Sequence, residues 1–289
     1  MAASRGSLDD IAGILRTVSA PTTEALAESL RPLTEDPARA GVFCDIDGVL
    51  APIVPRPEDS QVREGIASLL ASLGRIYGSV ACVSGRSVAE ARRLVGVGAI
   101  SYVGHHGAEI LHADERRPLL LNAFASWEGR VRDFVGDRAV DHDFKQLRLR
   151  LEDKGPVKAF HWRGTPDENA AELLLQALAR EAEAAGFDIH WGRKVLEIRP
   201  PVPVDKGQGV RALVERTGVR TVLYGGDDVT DLDAFDALDA LTAAGELVAA
   251  VRVGVRSDEG PAAIVERADV VAEGVDGFTG VLTALAVDA

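Results

Sequence analysis

Two cysteines, one methionine and an aromatic content of 5% in 289 residues remove several architectures at once. Two cysteines cannot staple a disulfide scaffold, and both Cys44 and Cys82 sit in apolar, strand-like runs. Buried, reduced thiols in a cytoplasmic protein are therefore expected, although spacing alone leaves a bridge open if the two strands are neighbours. None of the six histidines falls at zinc-site spacing. Basic residues are outnumbered, 32 Lys and Arg against 45 Asp and Glu, for a net charge of −13. That balance argues against nucleic acid or an anionic membrane as partner. No run approaches the roughly 20 apolar residues of a membrane span. Residues 1–10 lack an apolar stretch behind a basic flank, so no secretory leader is expected. The chain is 46% apolar and 27% charged, an ordinary globular composition, and long enough for a large core with a smaller domain beside it. A monomer is expected. An anionic ligand would need local cations to enter so acidic a protein.

Strand-like and helical segments alternate over most of the chain. Residues 41–45 read as a short buried strand ending in carboxylates, and 61–75 as a helix with Val62, Ile66, Leu69, Leu70 and Leu73 on one face. A strand at 79–83 ends at Ser84-Gly85-Arg86, followed by a helix at 87–95 and a strand at 99–103. Later, 207–217 is helical and the strand 221–224 ends at Gly225-Gly226-Asp227-Asp228. Strands separated by helices, without hairpin signals, predict an α/β fold, a Rossmann-like parallel sheet covered on both faces. Polar residues just past three strand ends stand where open α/β sheets build their sites.

Between about 115 and 202 the rhythm becomes helix (120–135), strands (145–152 and 156–163), helix, strands (187–191 and 194–199), which predicts an inserted α+β lid. Thr165-Pro166-Asp167-Glu168 reads as a capping box opening the second lid helix. The expected division is a helical extension at 1–39, a core at 40–117 and 203–289, and the lid at 118–202. Within 1–38, Leu8, Ile11, Ile14, Leu15 and Val18 follow a helical period. Alternation along the lid strands turns Leu147, Leu149, Leu151, Phe160, Trp162, Leu196 and Ile198 towards its helices. Arg148, Arg150, Glu152, Lys154, His161, Arg163, Glu197 and Arg199 then take the other face. A polar face is either solvated or reads a ligand, and a phosphate site beneath it favours a sugar.

Asp45-Ile-Asp47-Gly48 carries the most chemistry. A carboxylate at a strand end, with another two residues on, can serve nucleophilic and acid–base steps at one phosphorus. Repulsion from a phosphate dianion demands a cation, and Asp227 and Asp228 offer the oxygen ligands Mg²⁺ prefers. Ser84 can hydrogen-bond the phosphate and Lys206, at a helix start, can supply positive charge. Asp-x-Asp-Gly alone also suits a turn, but Val49-Leu50-Ala51-Pro52 does not continue a calcium loop.

Together, Asp45-Ile-Asp47-Gly48-Val49, Ser84, Lys206 and Gly226-Asp227-Asp228 resemble the four ordered motifs of the haloacid-dehalogenase superfamily. The insertion after Ser84 resembles its larger lid type. Gly226-Asp-Asp-Val-Thr-Asp231, Ser84-Gly85-Arg86, His106-Gly107-Ala108-Glu109, Lys154 with His161-Trp162-Arg163, and Glu197-Ile-Arg199-Pro200 resemble the trehalose-6-phosphate phosphatases. The resemblance spans roughly residues 40–285, with Trp162 in place of the usual Tyr and Leu232 in place of the usual Glu. It implies Asp45 as nucleophile, Asp47 as acid and base, and Ser84 and Lys206 on the phosphoryl oxygens. It implies Mg²⁺ held by Asp45, Asp47 (through its carbonyl) and Asp227, with Asp228 and Asp231 orienting waters. Gly85, Arg86, His106, Glu152, Lys154, His161, Arg163 and Glu197 would bind a small sugar phosphate. A phosphatase acting on sucrose or glucosylglycerol phosphate, a phosphomutase and an inactive sensing domain remain alternatives at this point.

Overall fold

A computed structural model describes residues 23–54, 59–139, 141–192, 194–257 and 260–287. The helical pattern from Leu8 to Val18 lies outside the described residues. α1 (Thr23–Thr34) precedes the central strand β1 (Ala40–Cys44). α2 (Glu64–Ile76), β2 (Ser79–Val83), α3 (Val88–Val95) and β3 (Ser101–Gly104) build one wing of the main sheet. β4 (Glu109–Leu111) and β5 (Leu119–Leu120) then fold back antiparallel.

The chain leaves through the short helix α4 (Asn122–Ala125), α5 (Glu128–Ala139) and α6 (His142–Gln146). It builds a second sheet from β6 (Arg150–Lys154), β7 (Val157–His161), β8 (Asp188–Gly192) and β9 (Val195–Arg199), with α7 (Glu168–Ala184) between β7 and β8. It returns as α8 (Lys206–Thr217), β10 (Thr221–Gly226), α9 (Val229–Ala243), β11 (Ala249–Arg256), α10 (Ala262–Glu266), β12 (Val270–Glu273) and α11 (Gly274–Val287). The main sheet runs β12-β11-β10-β1-β2-β3-β4-β5, parallel from β12 to β3, and the lid sheet β6-β7-β9-β8 is antiparallel. The expected α/β core with an inserted α+β lid is what forms.

Alternation explains why helices cover both faces of the main sheet. In β1, Val42 and Cys44 pack with α1, α2 and α11, whereas Phe43 packs with α8 and α9. Leu30 and Leu33 of α1 are completely buried in the first of these layers, so α1 packs on the core. Cys44 and Cys82 are register partners on β1 and β2; both thiols are free and buried. No described helix is long and apolar enough to cross a membrane.

Several expectations need correction. The lid strand expected at 145–152 starts at Arg150, because 142–146 is helical and Arg148 adopts a left-handed φ of 54°. Leu147 and Leu149 still reach the lid core from that turn, mimicking strand alternation, but Leu151 on the edge strand is exposed. The helix expected at 120–135 is two helices that continue to residue 139. α7 is capped by Asp167, which accepts the Ala170 N–H at 2.9 Å, not by Thr165; Glu168 instead accepts the Gly164 N–H at 2.8 Å. Because β5 still belongs to the main sheet, the chain changes sheets after residue 120, slightly beyond Pro118.

Candidate active site

Three parallel strands end together. Asp45 follows β1, Ser84 follows β2, and Asp227 follows β10, with β1 bonded between the other two. Each strand is buried and apolar up to its end, and the polar residue arrives where the sheet opens. The Asp45 N–H donates to the Gly225 carbonyl at 2.9 Å, tying the β1 and β10 ends together. After Asp47 the chain turns sharply: Gly48 has φ +86°, and a Cβ there would lie 2.0 Å from Asp227 Oδ2. Only glycine lets Asp227 approach this turn.

Lys206, almost fully buried at the start of α8, donates to Asp45 Oδ2 at 2.7 Å and to Asp231 Oδ1 at 2.7 Å. Asp45 Oδ1 accepts the Ile46 N–H at 2.7 Å. Burial raises the Asp45 carboxyl, Lys206 pulls it down and Asp231 pushes it up, leaving it at about 7. Asp227 is pushed up to about 8 by burial first, then by Asp45 and Asp231. Burial would lower the Lys206 ammonium, but Asp231 and Asp45 outweigh it and raise it.

Asp45, Asp227 and Asp231 bring carboxylate oxygens within 4.8 Å of one another. Asp231, however, has no oxygen to spare. Its Oδ1 accepts from Lys206 and Tyr224, both at 2.7 Å, and its Oδ2 accepts the Asp227 and Asp228 N–H groups at 3.0 Å. Asp231 is thus a buried brace rather than a group that orients waters. Asp227 Oδ1, by contrast, is buried with no hydrogen-bond partner. An orphaned carboxylate oxygen beside Asp45, in carboxyls that burial first and neighbouring carboxylates second hold up in pKa, fits a hard divalent cation with oxygen ligands. Asp228 caps α9, accepting the Val229 N–H at 2.6 Å, and lines the cavity.

Asp47 is clamped by Arg86, whose Nε and one terminal nitrogen donate at 2.6 and 2.7 Å, and by the Ser60 hydroxyl at 3.1 Å. Ser84 Oγ accepts the Arg86 N–H at 3.2 Å, which leaves its own proton for a ligand. Gly85 has no room for a side chain, since a Cβ would come 2.5 Å from His106 Nε2. His106 borders the cavity, and burial followed by Lys206 lowers it to about 3, a neutral imidazole near pH 7.

The lid sheet closes the other side of a cavity of about 800 Å³, inside the ~300–1,000 Å³ range of small-molecule sites. Glu152, Lys154, His161 and Glu197 all face it. Lys154 Nζ lies 3.4 Å from Glu197 Oε1 and 3.6 Å from Glu152 Oε2, and His161 Nε2 lies 2.7 Å from Glu152 Oε2. His161 and Lys154 hold Glu152 down at about 2. Burial would raise Glu197, but Arg199 and Lys154 overcome it and bring it to about 2. Arg163 is not in this wall: β7 stops at His161, and Arg163 sits exposed in the turn beyond, where alternation no longer applies. Arg150, His190 and Arg199 also line the cavity; Arg150 and Arg199 lie on the polar face that alternation defines, whereas no sequence signal marks His190. Ser60 arrives from the long connection after β1, for which no sequence signal exists. The lining carries six Lys and Arg (Arg86, Arg93, Arg150, Lys154, Arg199, Lys206) against six Asp and Glu (Asp45, Asp47, Glu90, Glu152, Glu197, Asp228), although the chain is acidic overall. Cations are concentrated where an anion would enter.

A family model described as trehalose-phosphatase matches residues 43–264. A trehalose-phosphate phosphatase of Mycolicibacterium paratuberculosis is 33% identical over 212 residues, covering 68% of this chain and 51% of that protein. An uncharacterized glycosyl hydrolase of Mycobacterium tuberculosis is 34% identical over 207 residues, 69% of this chain but 15% of that protein. The chain therefore spans about half the length, or less, of these curated relatives. Among solved structures, the C-terminal domain of Candida albicans trehalose-6-phosphate phosphatase superposes with a TM-score of 0.65 at 20% identity, covering 92% of this chain and 97% of that one. A trehalose-6-phosphate phosphatase related protein gives 0.64 at 23% identity, covering 85% and 96%. These two likenesses establish a shared fold.

Proposed function

Because this chain belongs to the trehalose-phosphatase family, we propose that it hydrolyses trehalose 6-phosphate to trehalose and phosphate, with Asp45 as the transiently phosphorylated nucleophile and Mg²⁺ as cofactor. The observation that carries the reading is the pairing of two walls. A buried Asp45–Lys206 pair at the sheet end faces Glu152, Lys154 and Glu197 on the lid across one cavity. A cytoplasmic location is part of the same reading.

Lys206 fixes Asp45 Oδ2 and the Ile46 N–H fixes Oδ1, so the carboxylate is oriented before substrate arrives. Asp45 attacks phosphorus in line, the bond to the sugar oxygen breaks, and the phosphoryl group passes to Asp45. Asp47 gives the departing oxygen its proton, then removes one from the water that hydrolyses the aspartyl-phosphate. The incoming phosphate competes with Asp47 for Arg86, so the clamp on Asp47 loosens only when a substrate is present. Ser84 donates to a phosphoryl oxygen. Asp45, Asp227 and the Asp47 carbonyl would hold Mg²⁺, which when bound offsets charge between carboxylate and phosphate. Glu152 and Glu197, kept ionised by their cationic neighbours, accept from sugar hydroxyls.

Phosphate release from a panel of trehalose, sucrose, glucosylglycerol and hexose phosphates, with Mg²⁺ and with chelator, tests the reading. Trehalose 6-phosphate should lead the panel and chelator should stop release. Equal rates across the panel would remove the disaccharide from the proposal. Glu197→Ala should lower kcat/KM on trehalose 6-phosphate by about 10²-fold, the cost of a lost charged hydrogen-bonding group, while changing an aryl phosphate by less than about threefold. Similar losses on both substrates would mean that Glu197 does not read sugar.

The raised Asp45 and Asp227 carboxyls set a pH dependence for the metal-free protein. Folding favours their neutral forms, so the stabilisation is full below the ordinary value of 3.8 and is lost as pH rises through about 7 and 8. Mg²⁺ displaces those protons and offsets the repulsion. It should therefore raise the melting temperature by several degrees near pH 8.5 and much less near pH 5.5. A shift independent of pH would count against this carboxylate pair as ligands.

A further inference from the structure

β8 is one of the two edges of the lid sheet, and alternation sends its neighbouring side chains to two different places. His190, the register partner of Glu197, lines the catalytic cavity. Trp191 goes to the helix side, where it is 42% exposed, unusual for the largest apolar side chain. It meets the buried Trp162 edge to face, with centroids 5.9 Å apart and planes 83° apart. In either sense of that T, Trp162 covers at most one face of the Trp191 ring.

The opposite wall is α7, whose Glu172, Gln176, Arg180 and Glu183 follow one stripe at i, i+4, i+8 and i+11. Groove and ring enclose about 460 Å³. Among the described residues none of these four polar side chains makes a hydrogen bond or ion pair. Some other charged groups of the lid are paired, among them Arg138 with Glu181, Lys158 with Asp153 and Lys194 with Glu168.

An uncovered indole face flanked by two carboxylates, an amide and a guanidinium, all with free capacity, is the complement of a pyranoside. The ring's axial C–H face packs on the indole, equatorial hydroxyls donate to the carboxylates, and hydroxyl oxygens accept from the amide and guanidinium. Among the described lining residues, two carboxylates stand against one guanidinium, a balance that disfavours a phosphate ester or an anionic lipid. We propose that the groove between α7 and β8 is a second saccharide site, outside the catalytic cavity, for neutral gluco-configured pyranosides. Gly192 borders both spaces, so an occupant rests on the strand that carries His190.

Calorimetric titration of the full chain with trehalose and with maltoheptaose tests this. Saturable binding of maltoheptaose marks a site for glucan chains, and binding of trehalose alone marks a disaccharide site; both support the proposal when they depend on Trp191. Trp191→Ala should raise Kd by about tenfold or more while leaving aryl phosphate hydrolysis unchanged. Glu197→Ala, which alters the catalytic cavity, should leave this binding intact. Should Trp191→Ala fold poorly by circular dichroism, Glu172→Gln combined with Glu183→Gln gives the same loss on an undisturbed ring. Absence of saturable binding by either sugar, or an unchanged Kd in the groove variants, overturns the proposal. The phosphatase reading stands or falls separately on phosphate release.

Discussion

Asp45→Asn should remove turnover, lowering kcat by at least about 10⁴-fold, in line with loss of a nucleophile elsewhere. The amide has the carboxylate's shape but a neutral oxygen in place of the anionic one, far too weak a nucleophile to form the first bond to phosphorus at a useful rate. The fold should survive. The amide oxygen can still accept one of the two donors on Asp45, Ile46 N–H or Lys206, and Lys206 keeps Asp231 at 2.7 Å. Asp45 is an acid whose folded value is raised to about 7, so above that pH its ionisation works against the folded, metal-free chain. Asparagine carries no such cost, and the variant should melt no lower than the parent near pH 8 without Mg²⁺. Rapid quenching during turnover of phosphate-labelled substrate should trap label on the parent and none on Asp45→Asn. Retained turnover, or label on another residue, would move the nucleophile elsewhere.

The main catalytic candidates were legible because each stands where an apolar run stops. Asp45, Ser84 and Asp227 follow strands whose buried residues form continuous hydrophobic stretches, and Lys206 follows a proline-rich return to the core. Local pattern is enough to find an element's end, and parallel-sheet topology does the rest. The pairing of Arg86 with Asp47 spans 39 positions and depends on how two loops approach, which no periodicity encodes. Ser60 reaches Asp47 for the same kind of reason. The lid was legible by face but not by boundary. Leu147 and Leu149 keep a strand-like alternation inside a turn, and Arg163 stands two residues past the end of β7, where alternation no longer sets its direction. Arg150 and Arg199 share the polar face with Glu152 and Glu197, so the signal that found the carboxylates also held their counter-charges.

Asp231 is the residue whose role the geometry changes most, and its removal should have the largest effect on stability. It is completely buried, and its two oxygens take four donors: the Lys206 ammonium, the Tyr224 hydroxyl and the N–H groups of Asp227 and Asp228. A Cβ on Gly226 would fall 2.4 Å from the Asp231 Cβ, so the loop is packed directly on this side chain. Asp231→Ala would leave Lys206 with Asp45 alone, strand the buried Tyr224 hydroxyl and Asp227 N–H, and release the part-buried Asp228 N–H. Breaking a buried pair from one side costs about 3–5 kcal/mol, and the orphaned donors keep the loss towards the upper end. Asp231→Asn should cost less, because its amide oxygen can still accept the two N–H groups while its NH₂ confronts Lys206 and Tyr224. Urea midpoints for the three proteins should therefore fall in the order parent, Asp231→Asn, Asp231→Ala. Activity should fall with them, about 10²-fold in kcat for the asparagine variant with little change in KM, because the brace sets Lys206 and Asp227 rather than touching sugar. A cost below about 1 kcal/mol for Asp231→Ala would show that the four hydrogen bonds do not act as a brace. A weakened response to Mg²⁺ in a normally stable Asp231→Asn protein would instead assign Asp231 to the cation.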